Sequence, residues 1–460
     1  MTDGTKVIAF YLPQFHPVAE NDAWWGHGFT EWTKVVKARP LGPDHYQPHL
    51  PGELGFYDLR VPEVRERQAA MARRHGIDGF MYYHCWFGGE QVLDRTFNEV
   101  LSSGRPDFPF SLCWANENWT RVWDAGEKAI LLEQRYGPEE RAAHIDWIIK
   151  AFRDPRYIRI GGRPLFAIYR IQSLPDSEGF VSELRSATGE AGIPDPYLVK
   201  FDTHGRFDDP AVFGCDAAAQ FLPHGVFENI QRAPTPIGFV PNHHYVHYDD
   251  VVDTFSELPP PAWVRHEAVF PGWDNTARRQ EQLAIVVLGN TPERYEEWLR
   301  VVHGRAPERG GVVFINAWNE WGEGAHLEPD DRWQDAFLRA TARVTLGDEA
   351  AARLGLPPDE VDEEEVICGP TFAELYLDVY ERYVRARHRL TSFDESLRRE
   401  VARRTEMLSL ALAAEKRRSG ELEQELTVRL ELDRERQANG DRAARRQRRA
   451  PQIPLLLDDC

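Results

Sequence analysis

Short runs of apolar and aromatic residues recur along most of the chain, separated by stretches in which apolar positions return every three or four residues. The runs cover 7–15, 79–87, 108–115, 164–171, 196–201, 215–221, 268–273 and 312–317. Runs this short and this uniformly apolar predict strands buried on both faces. The stretches 62–75, 139–152, 178–190, 292–303 and 333–344 carry helical period. The first is the clearest, with Pro62 in the first turn, Glu63 early and Arg73 and Arg74 late, as the unpaired amides and the dipole of a helix favour. Strands alternating with helices imply parallel pairing through right-handed crossovers. Eight such units predict a closed (β/α)8 barrel of the TIM type rather than an open sheet. The sixth and seventh units are the least distinct, because 234–261 is rich in loop-forming residues.

In such a barrel the chemistry gathers where strands end, and polar clusters fall there repeatedly. Tyr11, Gln14, His16, Trp24, Trp25, Glu31 and Trp32 lie in the second half of the first run or after it, His84 and Trp86 at the end of the second, and Trp114, Asn116, Glu117 and Trp119 at and after the end of the third. Asp202 and His204 follow the fifth, and Trp273, Asp274 and Asn275 the seventh. The eighth is followed at once by Asn319, Glu320, Trp321, Glu323, His326 and Glu328, with Gly322 and Gly324 between them. Paired carboxyls beside indole faces suit acetal chemistry on a sugar, where one group holds a proton and the other carries charge. Glu320 and Glu323 are the candidate catalytic pair, set against the plainer reading of two solvated loop acids. Glu117, in a second Asn-Glu pair, is the rival partner for Glu320 across the barrel mouth. An aromatic wall raises the pKa of one carboxyl, but the sequence does not say which.

Composition narrows the class. Apolar residues make up 42% and charged residues 28%, as in soluble globular proteins, and the formal net charge of −19 opposes nucleic acid or anionic lipid as a partner. Cys85, Cys113 and Cys215 lie inside apolar runs, and with Cys368 and Cys460 they form no CxxC pair. Free buried thiols in a reducing compartment are therefore expected, not a disulfide framework or a zinc site. No basic, apolar leader opens the chain and no run is long enough for a membrane helix, so a cytoplasmic protein is expected. His243, His244 and His247 read as structural or surface histidines. Asp249-Asp250 and Asp330-Asp331 do not follow a strand as a metal-binding pair, and no Gly-rich dinucleotide turn is present. No cofactor or metal is expected.

The pattern changes near Gly347. A barrel domain over 1–346 is expected to give way to an acidic linker over 347–370 and a charged helical tail over 371–460. Phe372, Leu375, Tyr376, Val379, Tyr380 and Tyr383 recur at helical spacing, followed by sparse positions Leu397, Val401, Leu408, Leu412, Leu422 and Leu426. The heptads are imperfect, so a coiled coil is one reading of the tail. It would then self-associate or hold a partner, a membrane-bound or glycosyltransferase protein being the functional version.

Tyr11-Leu-Pro-Gln-Phe-His16, Trp24 to Trp32, His45-Tyr-Gln-Pro-His49, Leu54 to Arg60, Trp114 to Trp119 and Asn316 to Gly324 occur in this order. Together they resemble the WbsX-like, or glycoside hydrolase family 99-like, proteins of bacterial polysaccharide biosynthesis, from about Lys6 to Leu346. The resemblance implies a (β/α)8 barrel and, by likeness to retaining endo-α-mannosidases, a mechanism. Glu320 would draw the proton from the sugar's 2-hydroxyl, whose oxygen displaces the leaving group to give an anhydro-sugar. Glu323 would protonate the leaving oxygen and then activate the acceptor. The expected function is thus making or breaking a glycosidic bond in cell-surface polysaccharide (O-antigen or lipopolysaccharide type), on an oligosaccharide or polysaccharide substrate. The alternative is a noncatalytic glycan-binding scaffold.

Overall fold

The computed structural model describes residues 4–354 except 43–44, 121–129, 225, 242, 280–282 and 307–310, together with 418, 426, 428–432, 434 and 436–437. The chain divides into two units, 1–359 and 360–460.

In the first unit eight parallel strands close on themselves. They are β1 (Lys6–Tyr11), β2 (Gly79–Phe87), β3 (Phe110–Trp114), β4 (Arg163–Ile168), β5 (Tyr197–Asp202), β6 (Ala217–Gln220), β7 (Arg265–Val269) and β8 (Val312–Ile315). Each pairs with its neighbour in sequence, and β1 closes the ring by pairing with both β2 and β8, with Ile8 opposite Gly79 and Lys6 opposite Val312. The wrapping helices are α1 (Pro62–Arg74), α2 (Arg95–Ser103), α3 (Pro138–Phe152), α4 (Ser177–Glu190), α5 (Tyr248–Glu257), α6 (Pro292–Arg305) and α7 (Ala336–Thr345). After β5 a single 3-10 turn, Pro210–Phe213, stands where a helix would.

The barrel is filled, not hollow. Phe10 lies at its axis, stacked on Tyr83 and Phe314 at centroid distances of 5.7 and 5.6 Å, with the edges of Phe201 and Phe221 at 5.4 and 5.2 Å. Offset and edge contacts of this kind are the arrangements that ring quadrupoles favour. Cys85, Cys113 and Cys215 are buried and unbonded, as their apolar surroundings predict.

All eight expected strands are present, with one informative shift. β7 begins three residues before the apolar run read from sequence, and that run continues past the strand. The reason lies above the barrel. Trp273 gives its carbonyl to Val287 N at 2.8 Å, on a two-stranded parallel sheet formed by His244–His247 and Ile285–Leu288. Past the strand, Phe270 packs on Tyr248 of α5 and Trp298 of α6, and Trp273 bonds to the added sheet rather than to the ladder. The same excursion accounts for the loop-rich appearance of 234–261, which holds both strand His244–His247 and α5. The stretch read as linker also opens with a short helix, Asp348–Arg353, in which Ala351 is buried.

In the second unit, the described residues from 426 to 437 are helical and exposed, with Leu426, Val428, Leu430 and Leu432 each about half accessible. Of the apolar positions on which the coiled-coil reading rests, all but Leu426 lie outside the described residues. Among the described residues no helix is long and apolar enough to cross a membrane.

One side chain fixes how β1 and β8 leave the barrel. Asn319 is wholly buried; its Oδ1 accepts from Leu12 N at 2.7 Å and its Nδ2 donates to Leu12 O at 3.0 Å. Both chains have left the sheet there, so neither backbone group has a ladder partner, and an unmade buried bond costs more than a made one gains. Replacing Asn319 by Ala should lower unfolding stability by about 3 kcal/mol. A urea titration checks this, and a loss below about 1 kcal/mol would mean that the Leu12 groups find other partners.

Candidate functional site

The loop after β8 is a tight hairpin. Asn319–Glu320 pairs antiparallel with Ala325–His326, and the 3-10 turn Trp321–Glu323 connects them. Gly324 closes the turn with φ +61°, a region costly for side-chain-bearing residues, and a Cβ there would press on the Asp274 backbone at 3.0 Å. Gly322 serves close approach instead: a Cβ on it would land on the Glu31 carboxylate. The loop after β1 thereby lays Glu31 directly over the turn.

Three loops meet at one cation. Arg278, on the short helix Thr276–Arg279 after β7, contacts Glu31 Oε1 with Nη2 at 2.8 Å and Glu320 Oε2 at 3.0 Å, and reaches Glu323 Oε1 with Nη1 at 2.7 Å. All four side chains are buried or nearly so. Burial is the largest influence on Glu320 and pushes its carboxyl up to about 8; Arg278 opposes that, while Glu323 and Glu31 add to it. Glu323 is raised for the same first reason, again against Arg278. Three carboxylates facing one guanidinium would carry a net charge of −2 if all were ionised, so the cluster keeps a proton.

The cluster opens on a cavity of about 360 Å³, within the range of about 300–1,000 Å³ usual for small-molecule sites. Of the candidate residues read from sequence, Gln14, Trp25, Glu31, Glu117, Trp119, Trp273, Glu320 and Glu323 line it, joined by Trp24, Tyr83, Tyr169, Asn275 and Arg278. Trp24 meets Trp119 edge to face at 5.8 Å, making an indole corner. Glu117 shares the cavity but is ion-paired with Arg170.

The remaining candidates do not line this cavity, and each has neighbours of its own. Asn319 is occupied by the Leu12 backbone, and Asn116 is likewise tied to the Arg170 N and O at 2.7 Å each. Trp321 donates to Glu328 Oε2 at 2.7 Å and stacks on His326 at 3.7 Å; Trp32 donates to the Tyr57 carbonyl at 2.8 Å. Tyr11 donates to Gln68 Oε1 at 2.7 Å, and Gln68 in turn donates to Glu328 Oε1 at 2.7 Å. His16 is buried against the Pro17 carbonyl, and Asp202 pairs with buried Lys200 at 2.7 Å. His84 faces His144 at 2.9 Å and stacks on Trp147; Trp86 and Trp114 pack on the same His144, beside a separate cavity of about 190 Å³. The positions just past a barrel strand must satisfy the backbone that leaves the sheet as well as meet a ligand, and polarity alone does not separate these duties. Arg278 went unseen because nothing in Thr276-Ala-Arg-Arg279 marks it; its function exists only where three loops converge.

The description "Glycosyltransferase WbsX" fits residues 7–341 of the chain. A curated relative from Xanthomonas campestris pv. campestris, described as "Uncharacterized protein WxcX", is 37% identical over 397 residues. That match covers 83% of this chain and 54% of the relative, so the chain spans about half the length of the curated relatives it matches. Among solved structures, a "Glycoside hydrolase-like protein" is similar at 13% identity and TM-score 0.49, covering 76% of this chain and 95% of its own. An endo-alpha-mannosidase of the GH99 type from Bacteroides thetaiotaomicron is similar at 15% identity and TM-score 0.45, covering 75% and 97%.

Removing Arg278 should expose how strongly it holds the carboxylates. In Arg278→Gln both raised carboxyls move further up. The unfolded chain loses those protons near pH 4.3 while the folded variant keeps them. Folded protein then binds more protons than unfolded, so stability falls as pH rises. Each extra retained proton steepens the fall by about 1.4 kcal/mol per pH unit. Urea unfolding from pH 5 to 9 should show the variant approaching wild type at the acid end and diverging at the alkaline end; parallel curves would remove Arg278 from this role.

Proposed function

The chain belongs to the WbsX glycosyltransferase family, and from that premise we propose that it makes or breaks a glycosidic bond with Glu320 and Glu323 as its reacting carboxylates. The observation that carries this reading is the pair itself: two buried acids bridged by one guanidinium, facing a cavity walled by Trp24, Trp25, Trp119 and Trp273. Indole faces stack on pyranose rings, and the pair retains a proton near neutral pH because burial outweighs Arg278.

The mechanism follows the resemblance residue by residue. Glu320 takes the 2-hydroxyl proton of the sugar as that oxygen attacks the anomeric carbon, and Glu323 gives its proton to the departing oxygen. The anhydro-sugar is then opened by an acceptor hydroxyl that passes its proton to Glu323, while Glu320 returns its own to the 2-oxygen. Atoms and protons balance, and both carboxyls finish as they began. In the free chain burial raises both carboxyls, and the first step starts with the pair's proton on Glu323. Because both acids share Arg278, the proton passes between them without changing the net charge of the cluster. A water acceptor gives hydrolysis and a sugar acceptor gives transfer; an α-mannosyl or similar glycan of a bacterial surface polysaccharide is the proposed substrate.

Glu320→Gln and Glu323→Gln should each lower turnover of α-mannosyl oligosaccharides at least about 100-fold. Aryl mannosides, whose phenol departs without protonation, should recover part of the first-step rate only in Glu323→Gln. Wild-type turnover should also fall on the alkaline side as the pair's proton leaves, near pH 8. Full activity in both amide variants, measured by product release, would exclude the assignment.

A further inference from the structure

A second constellation in the barrel mouth bears chemistry that the carboxylate pair does not use. His49, in the loop after β1, and His326 and Asp330, in the loop after β8, are buried, and one ligating atom from each lies within 4.8 Å of the others. His49 Nδ1 is 2.8 Å from His326 Nε2, and Asp330 Oδ2 is 3.8 Å from the same nitrogen. The neighbours fix which atoms point inward. His326 Nδ1 sits 3.0 Å from the Glu328 carbonyl, which only accepts, so that nitrogen holds the ring proton and Nε2 presents its lone pair to the cluster. Asp330 Oδ1 accepts the backbone amides of Arg332 and Trp333, the Tyr46 hydroxyl also bonds to the carboxyl, and Oδ2 lies on the side of His326. An imidazole oriented by a carbonyl behind it is the outer support that metal-binding histidines ordinarily have.

We propose that His49 Nδ1, His326 Nε2 and Asp330 Oδ2 bind a divalent cation of the zinc class. Two imidazole nitrogens and one carboxylate oxygen suit zinc, whereas calcium and magnesium prefer shells of oxygen. Metal–nitrogen bonds of about 2.0–2.1 Å require the two rings to part by roughly half an ångström from their present contact. His49 moves its proton from Nδ1 to Nε2 and stays neutral as it binds. A fourth position opens on a cavity of about 140 Å³, which Trp273 lines together with the carboxylate cavity on its other side. There His45 Nε2 donates to Asp274 Oδ2 at 2.7 Å while its Nδ1 accepts from Leu41 N at 2.9 Å, so that pair is already satisfied. The ion would clamp the His45–His49 segment to strand Ala325–His326, the partner of Asn319–Glu320, and so hold the acid pair from behind.

The test uses the whole chain, stripped with a chelator and titrated with zinc chloride against a chromophoric competitor. One equivalent should bind more tightly than about 1 μM and raise Tm. X-ray absorption should give a first shell of nitrogen and oxygen with imidazole scattering. His49→Ala and His326→Ala should each weaken binding at least 100-fold, while His27→Ala, at an exposed histidine outside the cluster, leaves it unchanged. If His326→Ala does not fold without its stacking on Trp321, His49→Ala with a wild-type near-UV spectrum decides. Wild-type protein that takes up no zinc at tens of micromolar, or equal uptake by folded His49→Ala, overturns the proposal.

Discussion

A single guanidinium among three buried carboxylates decides how the mouth of this barrel is built. Arg278 arrives from the seventh loop, Glu31 from the first, and Glu320 and Glu323 from the eighth. Burying any of these charges alone would be strongly unfavourable, and removing one partner from such a group leaves the others uncompensated. The loops therefore hold their positions together or not at all. Because one cation does not neutralise three acids, burial raises the Glu320 and Glu323 carboxyls and the cluster retains a proton.

The scaffold beneath makes that arrangement rigid. Phe10 and the rings around it fill the barrel, so the strand ends cannot drift. A polar layer then sits between this core and the cavity. In it Glu328 accepts from Tyr57, Gln68 and Trp321 at 2.7 to 2.8 Å, and Gln68 also receives Tyr11. Burial pushes the Glu328 carboxyl up to about 7 despite these donors. The loops after β1 and β8 are joined through this layer and through Asn319, underneath the carboxylate cluster rather than within it.

Much of this was legible in the residues and some was not. Eight apolar runs gave eight strands, because a strand buried on both faces leaves a continuous signature. Polar residues past the strand ends pointed to the end of the barrel where the Arg278 cluster and its cavity lie. They did not separate ligand-facing groups from those that satisfy the departing backbone: Asn319 and Glu320 are adjacent, yet one is consumed by Leu12 and the other faces the cavity. Trp25 and Trp321 are likewise indistinguishable by type, although one lines the cavity and the other stacks on His326. Arg278 was invisible because its meaning depends on groups far away in the chain. The extra sheet over β7 was hidden for a similar reason, since its strands are four residues each and separated by α5, β7 and the helix that carries Arg278.

Gly322 carries a consequence for heredity. Its missing side chain is the space in which the Glu31 carboxylate rests, so even the smallest enlargement there evicts a group contributed by a loop nearly three hundred positions away. The two segments are thus bound to change together. A donor barrel given only the final loop would inherit both acids at their proper spacing yet lack the counterpart that shapes their charge, and recombination that separates the two ends of the gene would break the device.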